Sequence, residues 1–265
     1  MATMLFYQSV KALNRDLHSN LRLNKKENPF GFAAKTNSVL LSASEFAEAS
    51  RDFPIVFVGA EKGSFSAAAL VGLRDSENLF VTADGYWDQH SYVPAFVRRY
   101  PFVLAEDGDQ LTVCIDETYE GLSEKDGILL FEKNAEESRF LKEVLGFLQS
   151  FHVDMQRTKL LGDKLAELGL LVPKTIALQE KDGKQMLDGL WVVDEKKLAA
   201  LSDADIVELH RNGYLAAIHA HLFSLNNINR LAQRTAVDKL SIENNSEVIQ
   251  KAEIGKRAKI APTVS

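Results

Sequence analysis

Side chains able to move protons fall in a few places along the 265-residue chain. Asp116-Glu117 closes the apolar run LTVCID. Paired carboxylates at a strand end can act as general acid and base or hold a hard cation. The acids that follow, Glu120, Glu124 and Asp126, equally fit a solvated loop. His219-Ala-His221, with His210 upstream, is the densest histidine group. On a helix, positions two apart point about 200° from each other, and residues eleven apart are separated by about 16 Å along the axis. These histidines therefore clamp no single ion, and no metal is expected. His221, Ser224 and Asn227 recur at i, i+3 and i+6. Such a polar stripe on an apolar helix either lines a pocket or holds two helices in register.

The residues best suited to binding lie between 79 and 104. This stretch holds Phe80, Tyr86, Trp87, Tyr92, Phe96, Tyr100 and Phe102 beside the Arg98-Arg99 pair. Aromatic rings and Arg supply most of the energy at surfaces built to bind. The loop DGYWDQHSY offers Tyr86, Trp87, Gln89, His90 and Tyr92 as a ligand wall, and rings with polar tips suit sugars and peptides. The alternative is that Trp87 and the Phe residues fill the core. Arg98 and Arg99 sit one step apart on a short helix, so they point different ways. One is free to pair with an acid and the other to meet an anionic ligand. Asp84 joins Asp116, Glu117 and His221 as acid-base candidates.

Known catalytic codes are missing. There is no P-loop, no GxGxxG after a strand and no Gly-x-Ser-x-Gly elbow. The single Cys114 rules out an intrachain disulfide and any cysteine-based zinc site. In its strand it reads as a small buried hydrophobe. No cofactor is implied. A net charge of −6 without a basic footprint argues against nucleic acid as a partner. No run reaches the roughly 18–20 apolar residues that span a bilayer. The N-terminus lacks the basic and apolar blocks of a Sec signal peptide, so a cytoplasmic protein is expected, unless a signal-independent route exports it.

The elements that must position these groups follow from periodicity. Residues 1–38 are polar and aperiodic, and read as an irregular segment draped over the domain. Residues 39–235 read as one domain and 236–265 as a flexible tail. VLLSASEFAEA is a short strand entering a turn or helix. FPIVFVGAE and SFSAAALVGLR form a hairpin, and NLFVTAD a further strand. A short helix starts near Pro94 and stops at Pro101. FVLAEDGDQLTVCID is a hairpin turning at Glu-Asp-Gly-Asp. GILLFE is another short strand or helix entry. Apolar residues at 140, 141, 144, 145, 148 and 151, then 160, 161, 165 and 168, mark one long helix ending at Gly169. A hairpin with a Lys-Asp-Gly turn comes next. A helix capped by Ser202 follows, with Asp203 and Asp205 in its first turn, and a last helix runs to about Arg234. Strands gathered first and helices last give an α+β fold. Its N-terminal half is antiparallel and strand-rich, and its C-terminal half helical with one hairpin.

Four strings resemble the bacterial SapC family: YVPAFVRRYPFVL, the CIDE strand end, GLWVVDEKKLAAL and HAHLFSLNNINRLAQR. The similarity covers roughly residues 5 to 235. The family name refers to a surface-layer-associated protein. The resemblance implies a bacterial protein whose relatives are associated with S-layers. In Gram-negative genomes they lie near genes for flavin-dependent tryptophan halogenase-like and cupin-like proteins and outer-membrane receptors. It supplies no catalytic residues. The joint expectation is a non-enzymatic binding or accessory protein for a peptide, glycan or partner protein, linked to cell-surface or peptide-modification systems. The alternatives are an enzyme acting on a peptide or amino-acid side chain, and a subunit of a homo-oligomer whose aromatic patch is an interface.

Overall fold

The structure, a computed structural model, describes residues 5–24, 26, 28–59, 64–108, 110–134, 136–180 and 183–235. The expected tail at 236–265 lies outside the described residues, as do the first two residues of the Lys-Asp-Gly turn. In chain order the elements are β1 (Val10–Ala12), β2 (Arg22–Leu23), β3 (Ser38–Leu40), α1 (Phe46–Ala49), β4 (Ile55–Val58), β5 (Ser66–Leu70), α2 (Ala95–Arg98), β6 (Phe102–Asp107) and β7 (Gln110–Asp116). Then come β8 (Leu122–Ser123), β9 (Ile128–Leu129), α3 (Arg139–Glu167), β10 (Leu171–Glu180), β11 (Gly183–Val193), α4 (Glu195–Ala199), α5 (Asp203–Arg211) and α6 (Tyr214–Ser224). A last helical stretch, α7, covers 227–235.

The fold is α+β with antiparallel sheets, a long helix and C-terminal helices, as the element order implies. The central sheet runs β10-β11-β4-β5-β3, with every neighbour antiparallel. The C-terminal hairpin thus completes the N-terminal sheet, through Leu190 opposite Val58 and Trp191 opposite Phe57. β5 carries Ala67, Ala68 and Ala69, all buried. Its small side chains let α3 approach closely. A Cβ on Gly162 of α3 would lie 2.5 Å from the Phe65 carbonyl oxygen, so only glycine fits there. α3 starts on the Ser138 hydroxyl, which accepts from Leu141 N at 3.2 Å. Its inward face holds Leu148, Phe151, Leu161 and Leu165. Each such side chain stabilises by about 1.5–3 kcal/mol when fully buried. α5 is capped by Ser202, which accepts from Asp205 N at 3.2 Å.

Three readings of the sequence change. The segment 1–38 is not wholly irregular. β1 pairs with β7 at the edge of the β6–β7 hairpin, and β2 lies between β8 and β9. Strands of two or three residues are too short to show an alternating period. NLFVTAD is not a strand. The chain turns back within a few residues at Asp84-Gly85, leaving one isolated bridge between Val81 and Trp87. The last helix is broken at Leu225-Asn226, where turn-type bonds replace helical ones: Leu225 N donates to Leu222 O and Asn226 N to Phe223 O. The Asn226 side chain also donates to Phe223 O, competing with the helical ladder.

Candidate functional site

The ring-rich loop is shaped by local polar bonds. Asn78 is buried, donating to Ala33 O at 2.9 Å and accepting from Phe80 N at 3.0 Å. Asp88 N then donates to Phe80 O at 2.7 Å and Thr82 N to Tyr86 O at 2.8 Å. Gly85 adopts φ +77°, and a Cβ there would stand 2.6 Å from the Asn28 Cβ. The result sorts alternate rings. Phe80 and Trp87 turn inward and stack, centroids 6.1 Å apart at 20°. Trp87 is 4% exposed and donates its Nε1–H to Tyr92 O at 3.0 Å. Tyr86 turns outward and is 47% exposed, with Asp84, Gln89 and His90 exposed beside it. Residues 78–83 and 86–90 wall an open cleft of about 640 Å³.

Arg234 of α7 packs against Phe80 and Asp88 of this loop. Its guanidinium sits 4.4 Å over the Phe80 ring and bonds Asp88 at 2.9 Å. Burial pushes the Asp88 carboxyl upward, but the bonds from His90 N and Arg234 outweigh it and hold the group below its ordinary value.

The next segment is stitched down by two acids. Glu45 Oε1 accepts from the Tyr92 hydroxyl at 2.9 Å and from Ala95 N at 2.7 Å. Its Oε2 accepts from Ser42 N and Oγ at 3.0 and 2.7 Å. Asp52 accepts from Tyr92 N at 2.8 Å. Burial, then the Glu45 charge, pushes the Tyr92 phenol up to about 12. Arg98 and Arg99 diverge. Arg98 is exposed, bonds Val93 O at 3.0 Å and lies 5.2 Å over the Phe147 ring. Arg99 turns inward, 4.2 Å over Phe96 and 5.4 Å over Phe151, with its Nε buried and unpartnered. Burial lowers its pKa. Its charge rests on ring faces.

The acid-base candidates are committed to different parts of the fold. Asp116 is fully buried and accepts from Gln8 N at 2.9 Å, Ser9 N at 3.0 Å and the Thr118 hydroxyl at 2.7 Å. Burial raises its pKa, and these bonds more than reverse the effect. Glu117 faces His18 at 3.6 Å, while Asp84 is exposed on the 82–86 turn. His221 is buried with both ring nitrogens used. Nδ1 lies 2.9 Å from Ile55 O, and Nε2 accepts from Val193 N at 3.1 Å. Ser224 accepts from Ile55 N at 2.9 Å. Asn227 donates to Ser50 O at 2.7 Å and Phe53 O at 3.2 Å. The stripe is spent on backbone of β4, β11 and the 50–53 turn, so it holds its helices against strands and a turn and does not set two helices in register. Among the described residues, no group of three or more His, Cys, Asp or Glu is placed to hold a metal ion. Cys114 is buried, which raises its pKa and leaves it the protonated thiol.

Sequence reasoning missed Glu45, Asp52 and Arg234. Ser42-Ala-Ser-Glu45 matches the S-x-x-E capping box, so a signal for Glu45 was present. Nothing in the sequence marks Arg234 as a neighbour of Asp88.

No helix among the described residues is long and apolar enough to cross a membrane. Comparison with curated proteins found no match, and comparison with solved structures found none. The SapC family model matches residues 13–231, most of the chain, and the protein therefore belongs to the SapC family.

Proposed function

We propose that this SapC-family protein is a non-enzymatic binding or accessory protein, holding a peptide, a glycan or a segment of a partner protein in the 78–90 cleft. One observation carries the reading. Part of the ring-rich stretch, Phe80, Tyr86 and Trp87 with Gln89 and His90, lines an open cleft of about 640 Å³, within the size range of ligand sites. Phe80 and Trp87 are buried beneath it, while Tyr86, Gln89 and His90 present a ring and hydrogen-bonding groups at its edge. The loop's backbone is already bonded to itself, so little order remains to be imposed on binding. Of the acid-base candidates, Asp116 and His221 are engaged elsewhere in hydrogen bonds, which favours retention of a ligand over its turnover. The setting we assign, cell-surface or peptide-modification systems, rests on the company the family keeps.

The test is binding of the full chain to peptide and glycan arrays, with hits titrated by calorimetry. Tyr86→Ala is expected to weaken a true cleft ligand by about tenfold without changing the melting temperature, as truncating one exposed contact ring does. A ligand indifferent to both Tyr86→Ala and Gln89→Ala refutes the cleft as its site. Chemical turnover of a hit, lost in Asp116→Ala, replaces the reading with an enzyme.

A further inference from the structure

A second cleft, of about 240 Å³, takes part of its lining from Asn28, Gly31 and Phe32. It joins four stretches far apart in sequence. Phe32 and Tyr100 stack at 4.1 Å and 29°, and Tyr119 stands perpendicular to Tyr100 at 5.3 Å and 88°. These rings make an aromatic corner. Around it are Gln8, Asn28, Thr118 and the Lys26–Glu120 pair at 3.1 Å.

The state of the polar groups narrows the occupant. The side-chain amides of Gln8 and Asn28 make no hydrogen bond to any described residue, so each offers an unspent donor and acceptor. Thr118 donates its hydroxyl hydrogen to Asp116 at 2.7 Å, which leaves its oxygen able to accept. Lys26 and Glu120 offset each other, so the cleft has no net charge to select an anion or a cation. Yet together they still offer N–H donors and carboxylate acceptors. A matching ligand is small and uncharged, carries closely spaced groups that both donate and accept, and has an apolar C–H face for the rings. An apolar side chain or fatty chain leaves the amides unpaired, which is costly once water is excluded. A zwitterionic amino acid lacks an unpaired counter-charge here.

We propose that this aromatic corner is a binding site for a single sugar ring, separate from the 78–90 cleft. The volume, below that of sites for drug-sized molecules, fits one ring better than a chain.

The test is saturation-transfer NMR on the full chain with methyl α-D-glucopyranoside, methyl β-D-galactopyranoside and N-acetyl-D-glucosamine. Each is used at about 10 mM, above the roughly millimolar Kd of a one-ring site. Transfer to ring C–H protons is expected for at least one sugar. It should fall about fivefold or more in Gln8→Ala, an exposed position that leaves the fold intact, and in Tyr119→Ala. It should be unchanged in Tyr86→Ala. Absence of transfer from all three sugars to folded protein overturns the proposal. So does transfer lost in Tyr86→Ala but kept in Gln8→Ala, which assigns the sugar to the larger cleft. Stronger transfer to adenosine or N-acetyltyrosine amide through Gln8 overturns the sugar class. None of these results touches peptide or protein binding at the 78–90 cleft.

Discussion

His221 should make this protein acid-sensitive well above the carboxylate range. In the fold its Nε2 accepts from Val193 N, so Nδ1 bears the proton and donates to Ile55 O, and the ring is neutral. Protonation would aim a second N–H at the Val193 N–H inside the core. Burial is the main reason the pKa drops from 6.5 to about 4, and the bond to Ile55 only partly offsets it. The sign follows directly. Between pH 6.5 and 4 the unfolded chain takes up a proton that the folded chain refuses. Stability is therefore complete above pH 6.5 and declines below it by about 1.4 kcal/mol per pH unit. The loss reaches about 2 kcal/mol at pH 5 and about 3 kcal/mol at pH 4. Urea titrations from pH 7 to 5 measure it, and the midpoint should drop by roughly 0.7 M for an unfolding slope near 3 kcal/mol/M. His221→Gln supplies the control, because its amide can meet the same two backbone groups and does not titrate. It should be less stable at pH 7 by about 1–2 kcal/mol, through imperfect geometry, but flatter with pH. Asp88 and Asp116 have lowered pKa values, so their contributions are lost only as pH falls below the ordinary carboxyl value of 3.8, beneath this window. Equal slopes for wild type and His221→Gln between pH 7 and 5 would refute the reasoning.

The two α3 glycines should respond to alanine in opposite ways. Gly146 is exposed with nothing near its missing Cβ, so Gly146→Ala should raise stability by about 0.5–1 kcal/mol through helix propensity. Gly162→Ala should lower it by about 1–3 kcal/mol, because the new methyl collides with Phe65 backbone, and paired thermal melts test both. Glu45→Gln should cost about 2 kcal/mol in denaturant titration, since one carboxylate oxygen becomes an N–H donor facing either Ser42 N or Ala95 N. Arg234→Met keeps an apolar side chain over Phe80 and loses the partly exposed pair with Asp88 and a long 3.5 Å bond to Leu79 O, so its thermal melt should show a change of less than about 1 kcal/mol.

Local features were legible where the signal is local. The hairpins of β6–β7 and β10–β11, the Ser202 cap and the long α3 follow from turn residues and apolar spacing. Partnership was not legible. Nothing in GLWVVDE says that Leu190 and Trp191 pair with Val58 and Phe57, because any strand edge offers the same backbone groups. The spacing of His221, Ser224 and Asn227 revealed a polar stripe, yet the bonds that decide its purpose run to Ser50, Phe53, Ile55 and Val193. Likewise, DGYWDQHSY showed rings suited to binding. Which of them faces outward is decided by Asn78 and by the tight Thr82–Tyr86 turn, not by ring chemistry. The corner of Phe32, Tyr100 and Tyr119 gave no sequence signal, since three separate stretches contribute one ring each.

Asp116, first read as a catalyst, and Glu45 and Asp52, which the sequence did not mark, explain why the binding residues stand free. Chain outside helices and sheets must find partners for its backbone N–H groups. Here Asp116 supplies them for Gln8 and Ser9, Glu45 for Ser42 and Ala95, and Asp52 for Tyr92. These acids fix irregular segments in place, so neighbouring amides and rings are not needed for that task. The side chains of Gln8, Asn28, Gln89 and His90 make no hydrogen bond to any described residue. Gly85 packs on Asn28 and accepts from Phe30 N at 3.0 Å. Each cleft is edged by unspent polar groups beside aromatic rings. A side chain kept out of internal bonding is available to a guest, and each cleft carries two of them, Gln8 and Asn28 in one and Gln89 and His90 in the other.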